Sequence, residues 1–312
     1  MRVFLAGATG VIGRRLVPML LAAGHEVTGM TRTPQRAAAL RKQGADAAIA
    51  DALDAEALTR ALRDCAPDLV IHQLTSIPAR IDPRRIEADF ELNDRLRSEG
   101  TRNLVAAAAA AGARRVIAQS IAFMYAPGPA GTVHREADPL LGDEQAPAAF
   151  RRSAAAVREL ERSVLEAEGI VLRYGYFYGP GSAIARDGSM AHEIARRRMP
   201  IVGRGAGVWS FIHVDDAARA TVAALRDVPG GAYNVVDDEP APVARWLPAL
   251  AQALGAPAPL RVPTILARVL AGSYGTATMT RAQGASNELA RRELAWTPEY
   301  PSWREGFRTA LG

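Results

Sequence analysis

Residues 1–16 read MRVFLAGATGVIGRRL, and the first thirteen decide the fold. Val3–Ala6 is a short apolar run of the kind that makes a buried strand. Gly7-Ala-Thr-Gly10-Val-Ile-Gly13 follows it directly and opens a helical pattern. Glycines in such a turn let the backbone approach a pyrophosphate, and the helix N-terminus offers that anion free N–H groups and partial positive charge. The spacing alone is a weak signal, but strand, turn and helix stand here in the required order. Gly7, Thr9, Gly10, Val11, Ile12 and Gly13 are therefore read as a dinucleotide cradle.

Beyond the turn, strand and helix patterns alternate. Ile12–Ala23 reads as a helix closed by Gly24, Glu26–Met30 as a strand, Pro34–Gln43 as a helix and Ala47–Ala50 as a strand. Leu69–Gln73 and Arg115–Ser120 read as strands around helix Leu92–Ala111, with helix Ala149–Ala167 and strand Ile170–Tyr174 after them. Such alternation predicts a Rossmann-type doubly wound α/β fold with a parallel sheet covered on both faces. Residues 126–148, rich in Pro, Gly and acidic side chains, are expected to loop beside the site. A dinucleotide domain over 1–179 and a smaller substrate lobe over 180–312 follow, with about 208–236 returning to the first domain.

Composition narrows the function class. A chain of 312 residues exceeds the usual reach of one core, and 49% hydrophobic with 23% charged residues suits a globular enzyme. No apolar run reaches the roughly 18 residues of a membrane span. No charged leader precedes the first strand, so a cytoplasmic protein without a membrane partner is expected. The net charge of +5 is dispersed, without basic blocks interleaved with aromatics, which argues against nucleic acid. Cys65 is single, and His25, His72 and His192 lack ligand spacing, so no disulfide or metal site is expected. The expected partner is a small-molecule substrate, and the oligomeric state stays open, a homodimer included. Of 38 basic residues only Lys42 is a lysine, so chemistry that needs a lysine must use it or do without.

The end of the second strand discriminates between cofactors. An NAD enzyme usually places an acidic residue there to accept from the ribose hydroxyls. Here Thr31 stands at that position, with Arg32 next and Arg36 one turn later. A guanidinium pairs bidentately with a 2′-phosphate, so NADP(H) is expected.

Taken together, GATGVIG, IADALD around Asp51 and Ala52, VIHQLTS with Gln73 and Leu74, EGTRNLVAAA, LRYGYFYGPG with Tyr174, and FIHVDDAARA resemble the extended branch of the short-chain dehydrogenase/reductase superfamily. The tail from YNVVDDEPAP through QGASN to WTPEYPSWREGF is similar to an uncharacterised bacterial subgroup of it. The resemblance implies that the first of these segments is the cofactor turn, the second contacts the adenine and the third passes the nicotinamide ribose. It also implies a catalytic Ser or Thr with Tyr-x-x-x-Lys, the tyrosine moving a proton while hydride moves at the nicotinamide.

Those catalytic positions depart from the pattern. QSIAFMYA places Ile121 at the serine, with Ser120 before it, and PAAFRRSAAAVRELE places Phe150 and Ala154 at the tyrosine and lysine. Tyr176 stands where nucleotide-sugar enzymes of this branch carry an asparagine, and Trp209 where they carry an arginine. Phe123, Tyr125, Phe150, Tyr176 and Trp209 are expected to line an apolar cleft. Ser120, as a hydrogen-bond donor to a carbonyl, and Tyr176, as a proton donor, are the catalytic candidates, with Tyr125 and His134 behind them. His213-Val-Asp215-Asp216 is read as architecture, an aspartate capping the next helix. The leading expectation is an NADP(H)-dependent oxidoreductase acting on a small apolar or aromatic carbonyl or enone. A redox-neutral isomerase, cyclase or dehydratase, and a non-catalytic NADP(H) sensor, remain open.

Overall fold

The computed structural model describes residues 1–78, 85–129 and 131–311. Its centre is a seven-stranded sheet of β1 (Arg2–Ala6), β2 (Glu26–Thr31), β3 (Asp46–Ile49), β4 (Leu69–His72), β5 (Arg115–Ile121), β6 (Ile170–Tyr174) and β7 (Gly231–Val235). Strand order is β7-β6-β5-β4-β1-β2-β3, and every neighbouring pair is parallel. Alternate side chains leave opposite faces of a strand, and helices bury both faces here. Val3 and Leu5 meet Leu16, Val17 and Leu20 of α1 (Gly13–Ala22) in one core. Phe4 and Ala6 meet the other layer. That layer holds Leu58 and Leu62 of α3 (Ala55–Cys65), Ala107 and Ala108 of α4 (Thr101–Ala110), and Leu160 and Val164 of α5 (Arg151–Glu166). The alanine run thus serves close packing: Ala107 and Ala108 are buried where α4 meets α3. Helix α2 (Pro34–Lys42) starts with Thr33 capping the Arg36 N–H.

Two local features differ from the sequence reading. Helix α3 was not anticipated, although Asp54 accepts from Ala57 N–H as its N-cap and Leu58 and Leu62 recur one turn apart. The long helix expected over Leu92–Ala111 begins at Glu91, and Leu96–Gly100 within it is a wide π turn. Such turns are frequent at functional sites. This one carries Arg97, only 6% exposed.

The second half supplies an aromatic core of its own. Trp209, Phe211, Trp246, Trp303 and Phe307 pack together with Tyr178. Two later helices matter for the site: α6 (Val214–Ala223) and α7 (Thr264–Arg281), the latter broken at Gly272 by φ of 68°. Among the described residues, no helix is long and apolar enough to cross a membrane, and no group of three His, Cys, Asp or Glu is placed to hold a metal.

Candidate active site

The order of the sheet reverses between β1 and β4, which opens a crevice at the carboxyl ends of the strands. Gly7 lines it with φ of 93°, and a Cβ there would lie 2.6 Å from the Gln73 carbonyl oxygen. A Cβ on Gly13 would lie 2.1 Å from the Gly7 carbonyl oxygen. The turn closes through Gly10 N–H donating to Gly7 O at 3.0 Å, with Thr9 half-buried beside it. The N–H groups of Val11, Ile12 and Gly13 have no acceptor among the described residues, and no side chain caps α1. That is the arrangement a diphosphate requires.

Other cradle residues lie along the same crevice. β2 ends at buried Thr31, whose hydroxyl has no partner, and Arg32 and Arg36 follow exposed, their guanidiniums outside any ion pair among the described residues. Asp51 accepts from Leu53 N–H at 3.0 Å, and the Ala52 carbonyl accepts from Asn103 at 2.9 Å. Leu74 N–H donates to His72 Nδ1 at 3.2 Å. A backbone N–H only donates, so His72 carries its proton on Nε2, facing Thr101 Oγ1 at 3.0 Å. Burial, then the Arg97 charge, push His72 down to about 4, which keeps this strand end neutral. Gln73 is oriented by Tyr174, whose hydroxyl also bonds Thr221, while Gln73 Oε1 is buried without a partner. Tyr174, expected to touch cofactor, is only 1% exposed and its hydroxyl is spent on Gln73 and Thr221. Cradle glycines, free donors and orphaned polar atoms fit a dinucleotide.

The three relay positions form one apolar patch. Phe150 and Ala154 are buried with Ile86, Met124, Ala146 and Val157, and Ile121 packs on them. Lys42 sits exposed on the last turn of α2 and is no substitute. A phenol does reach the patch: Tyr274 of α7 packs on it, its ring 4.5 Å from that of Phe150. Burial pushes the Tyr274 phenol up, so it stays protonated at neutral pH. Sequence reasoning missed it because it lies just past the break at Gly272, in a stretch without a motif.

Several sequence-derived assignments need correction. Ser120 points into the interior and donates to Glu161 at 2.6 Å, with Glu161 paired to Arg173 at 2.6 Å. Tyr125 belongs to the same buried network: it accepts from Arg173 at 2.9 Å and donates to Asn234 at 2.6 Å, so it does not face a ligand. His134 stacks on Tyr125 and bonds Asp138 and Gln283, a structural role. The cap of α6 is His213, which accepts from Asp215 N–H, because Asp215 pairs with Arg15 and Asp216 with Arg219 and the backbone at Glu299 and Tyr300.

The remaining aromatics stack in order. Tyr176 lies between Phe123 at 4.3 Å and Trp209 at 3.8 Å, nearly parallel to both. Trp209 is 3% exposed, and its indole N–H donates to the Thr278 carbonyl, so it backs Tyr176 instead of meeting ligand. Phe123 and Tyr176 are half-buried, and burial holds the Tyr176 phenol well above its ordinary pKa. The site therefore offers a cradle, a stacked aromatic wall and an apolar patch with one phenol.

Comparison with known proteins places this geometry. The model of the NAD dependent epimerase/dehydratase family matches residues 3–236. A Streptomyces protein described as 3-diazoavenalumate denitrifying reductase is 48% identical over 98% of this chain and 99% of its own. UDP-glucose 4-epimerase of Mycolicibacterium smegmatis is 27% identical over 96% of this chain and 94% of its own. Among solved structures, Thermus thermophilus UDP-glucose 4-epimerase with NAD superposes with a TM-score of 0.74 at 24% identity, covering 99% of this chain and 97% of that one. A human epimerase family protein with NADPH superposes at 0.72 and 20% identity, covering 99% of each. This chain is an enzyme of the NAD-dependent epimerase/dehydratase family, an extended short-chain dehydrogenase/reductase with a Rossmann-type α/β fold.

Proposed function

We propose that the protein is an NADP(H)-dependent reductase of planar, apolar-bodied electrophiles whose reduction needs no tyrosine–lysine relay. The observation that carries this reading is the apolar patch of Ile121, Phe150 and Ala154 where a relay would stand. The relative at 48% identity is named for reductive removal of a diazo group, and a diazonium fits the same logic. A nicotinamide dinucleotide held by the Gly7–Gly13 turn would supply one hydride, and a diazonium that takes it up gives dinitrogen and a C–H bond. The substrate's positive charge is the electron sink, so no protein acid has to neutralise a developing oxyanion. The chain supplies the rest: Phe123, the outer ring of the stack on Tyr176, presents a flat face, and the patch around Phe150 excludes water.

A planar carbonyl or enone is the second reading, favoured by Tyr274, a protonated phenol on that patch. Nucleotide sugars fit poorly. A desolvated diphosphate needs a paired cation, and the position that would supply one holds Trp209, stacked on Tyr176.

Cofactor choice rests on Thr31 where NAD enzymes carry a carboxylate, and on Arg32 and Arg36 after it, whose guanidiniums lie outside any ion pair among the described residues. NADPH is expected to bind more tightly than NADH. Arg32→Ala should remove about 1.5–3 kcal/mol of that difference, roughly 10- to 150-fold in the ratio of dissociation constants. Calorimetric titration measures it, and equal affinities in the parent protein would overturn the NADP(H) assignment.

A further inference from the structure

Arg97 is a buried cation without an ion-pair partner among the described residues. It is 6% exposed, yet among the described residues it has no hydrogen bond, ion pair or ring contact. The groups that sense its charge bracket it: His72 at the end of β4, Tyr274 over Phe150, Glu161 on α5 and Asp94 one turn earlier. The π turn that carries it packs on α5 and leads into α4, whose Thr101 meets His72 at the end of β4, so it stands between the cofactor crevice and the apolar patch.

Neither nearby acid serves as its partner. Glu161 is taken by Arg173 through three hydrogen bonds and by Ser120 through a fourth. Asp94 accepts from Ser153 at 2.9 Å and lies beyond ion-pair distance of Arg97. A desolvated charge is tolerated only when paired, and a guanidinium's fork matches a carboxylate. The π turn packs on α5, which carries Ala154 and Val157 of the apolar patch, so an anion that reaches Arg97 would come on a molecule with an apolar body.

We propose that Arg97 is a carboxylate subsite, so that the substrate of this cleft is a planar aromatic acid. The π turn at Leu96–Gly100 is the device that turns the guanidinium inward. The proposal rests on the reading of the cleft as a site for planar apolar substrates, and goes beyond it by fixing the class of the substrate's charge.

The test compares trans-cinnamate with methyl cinnamate on the full-length protein in saturating NADP⁺, by calorimetry. The parent is expected to bind the acid at least about tenfold more tightly than the ester, one charge-assisted pair's worth. Arg97→Met should erase that ratio and leave NADP⁺ affinity unchanged, and Arg97→Lys should retain part of it. Equal binding of acid and ester by the parent overturns the subsite while leaving the planar cleft standing, and it needs no variant to fold. Failure of both ligands to bind overturns subsite and cleft together. Lost NADP⁺ affinity in Arg97→Met with an intact acid-to-ester ratio assigns the guanidinium to the cofactor and overturns the proposal.

Discussion

Gly13→Ala is expected to destroy NADPH binding. The new methyl would lie 2.1 Å from the Gly7 carbonyl oxygen and 2.7 Å from Ala8 Cα, and both are backbone atoms that cannot swing aside. The turn would have to open, displacing the N–H groups of Val11, Ile12 and Gly13, which have no acceptor among the described residues. With charge-assisted bonds contributing about 1.5–3 kcal/mol each, losing two lowers affinity by more than about 100-fold. Overpacking should also destabilise the fold by about 1–3 kcal/mol. Gly10→Ala separates the two effects, since its Cβ meets only Gly7 O, at 3.3 Å. It should preserve the melting temperature and still weaken NADPH, because the methyl occupies the phosphate approach. Thermal melts without ligand and calorimetry with it read both variants; tight NADPH binding by Gly13→Ala would remove the cradle from the account.

Glu161→Leu should destabilise the protein by about 3–5 kcal/mol, because Arg173 would remain buried without its counter-charge. Arg173 is 4% exposed and Glu161 2%, and Ser120 and Tyr125 complete the network. Combining Glu161→Leu with Arg173→Met should recover most of that loss, since the apolar pair leaves no uncompensated ion. Ser120→Ala should weaken folding and leave turnover per folded molecule unchanged, as befits a hydroxyl spent on Glu161. Urea unfolding measures the stabilities, and a Ser120→Ala enzyme that folds fully but turns over poorly would return Ser120 to the chemistry.

The sequence disclosed the fold and cradle because their signals are local. GATGVIG must turn where it does, and strands β1, β4 and β6 are largely apolar runs bounded by turn residues or helical patterns. Helix α3 was equally legible in Asp54, Leu58 and Leu62 but carried no motif to draw the eye. The emptiness of the relay was visible residue by residue in Ile121, Phe150 and Ala154. What replaced it was not. Tyr274 and Phe150 are 124 positions apart and meet only through tertiary packing. Arg97 was hidden among 38 basic residues until burial without a partner singled it out. Ser120, Tyr125 and Tyr174 misled because pattern matching places a side chain on a strand without saying which polar neighbour will claim its hydroxyl.

The central claim is that this cleft reduces a planar electrophile with hydride from NADPH. Stopped-flow absorbance at the nicotinamide band, with a diazotised aminocinnamate as substrate and headspace dinitrogen measured in parallel, tests it most directly. The account predicts one NADPH oxidised per dinitrogen released, with NADH a much poorer donor. Conversion of the substrate without net NADPH oxidation, or no oxidation above the enzyme-free rate with either the diazonium or a planar enone, would contradict it.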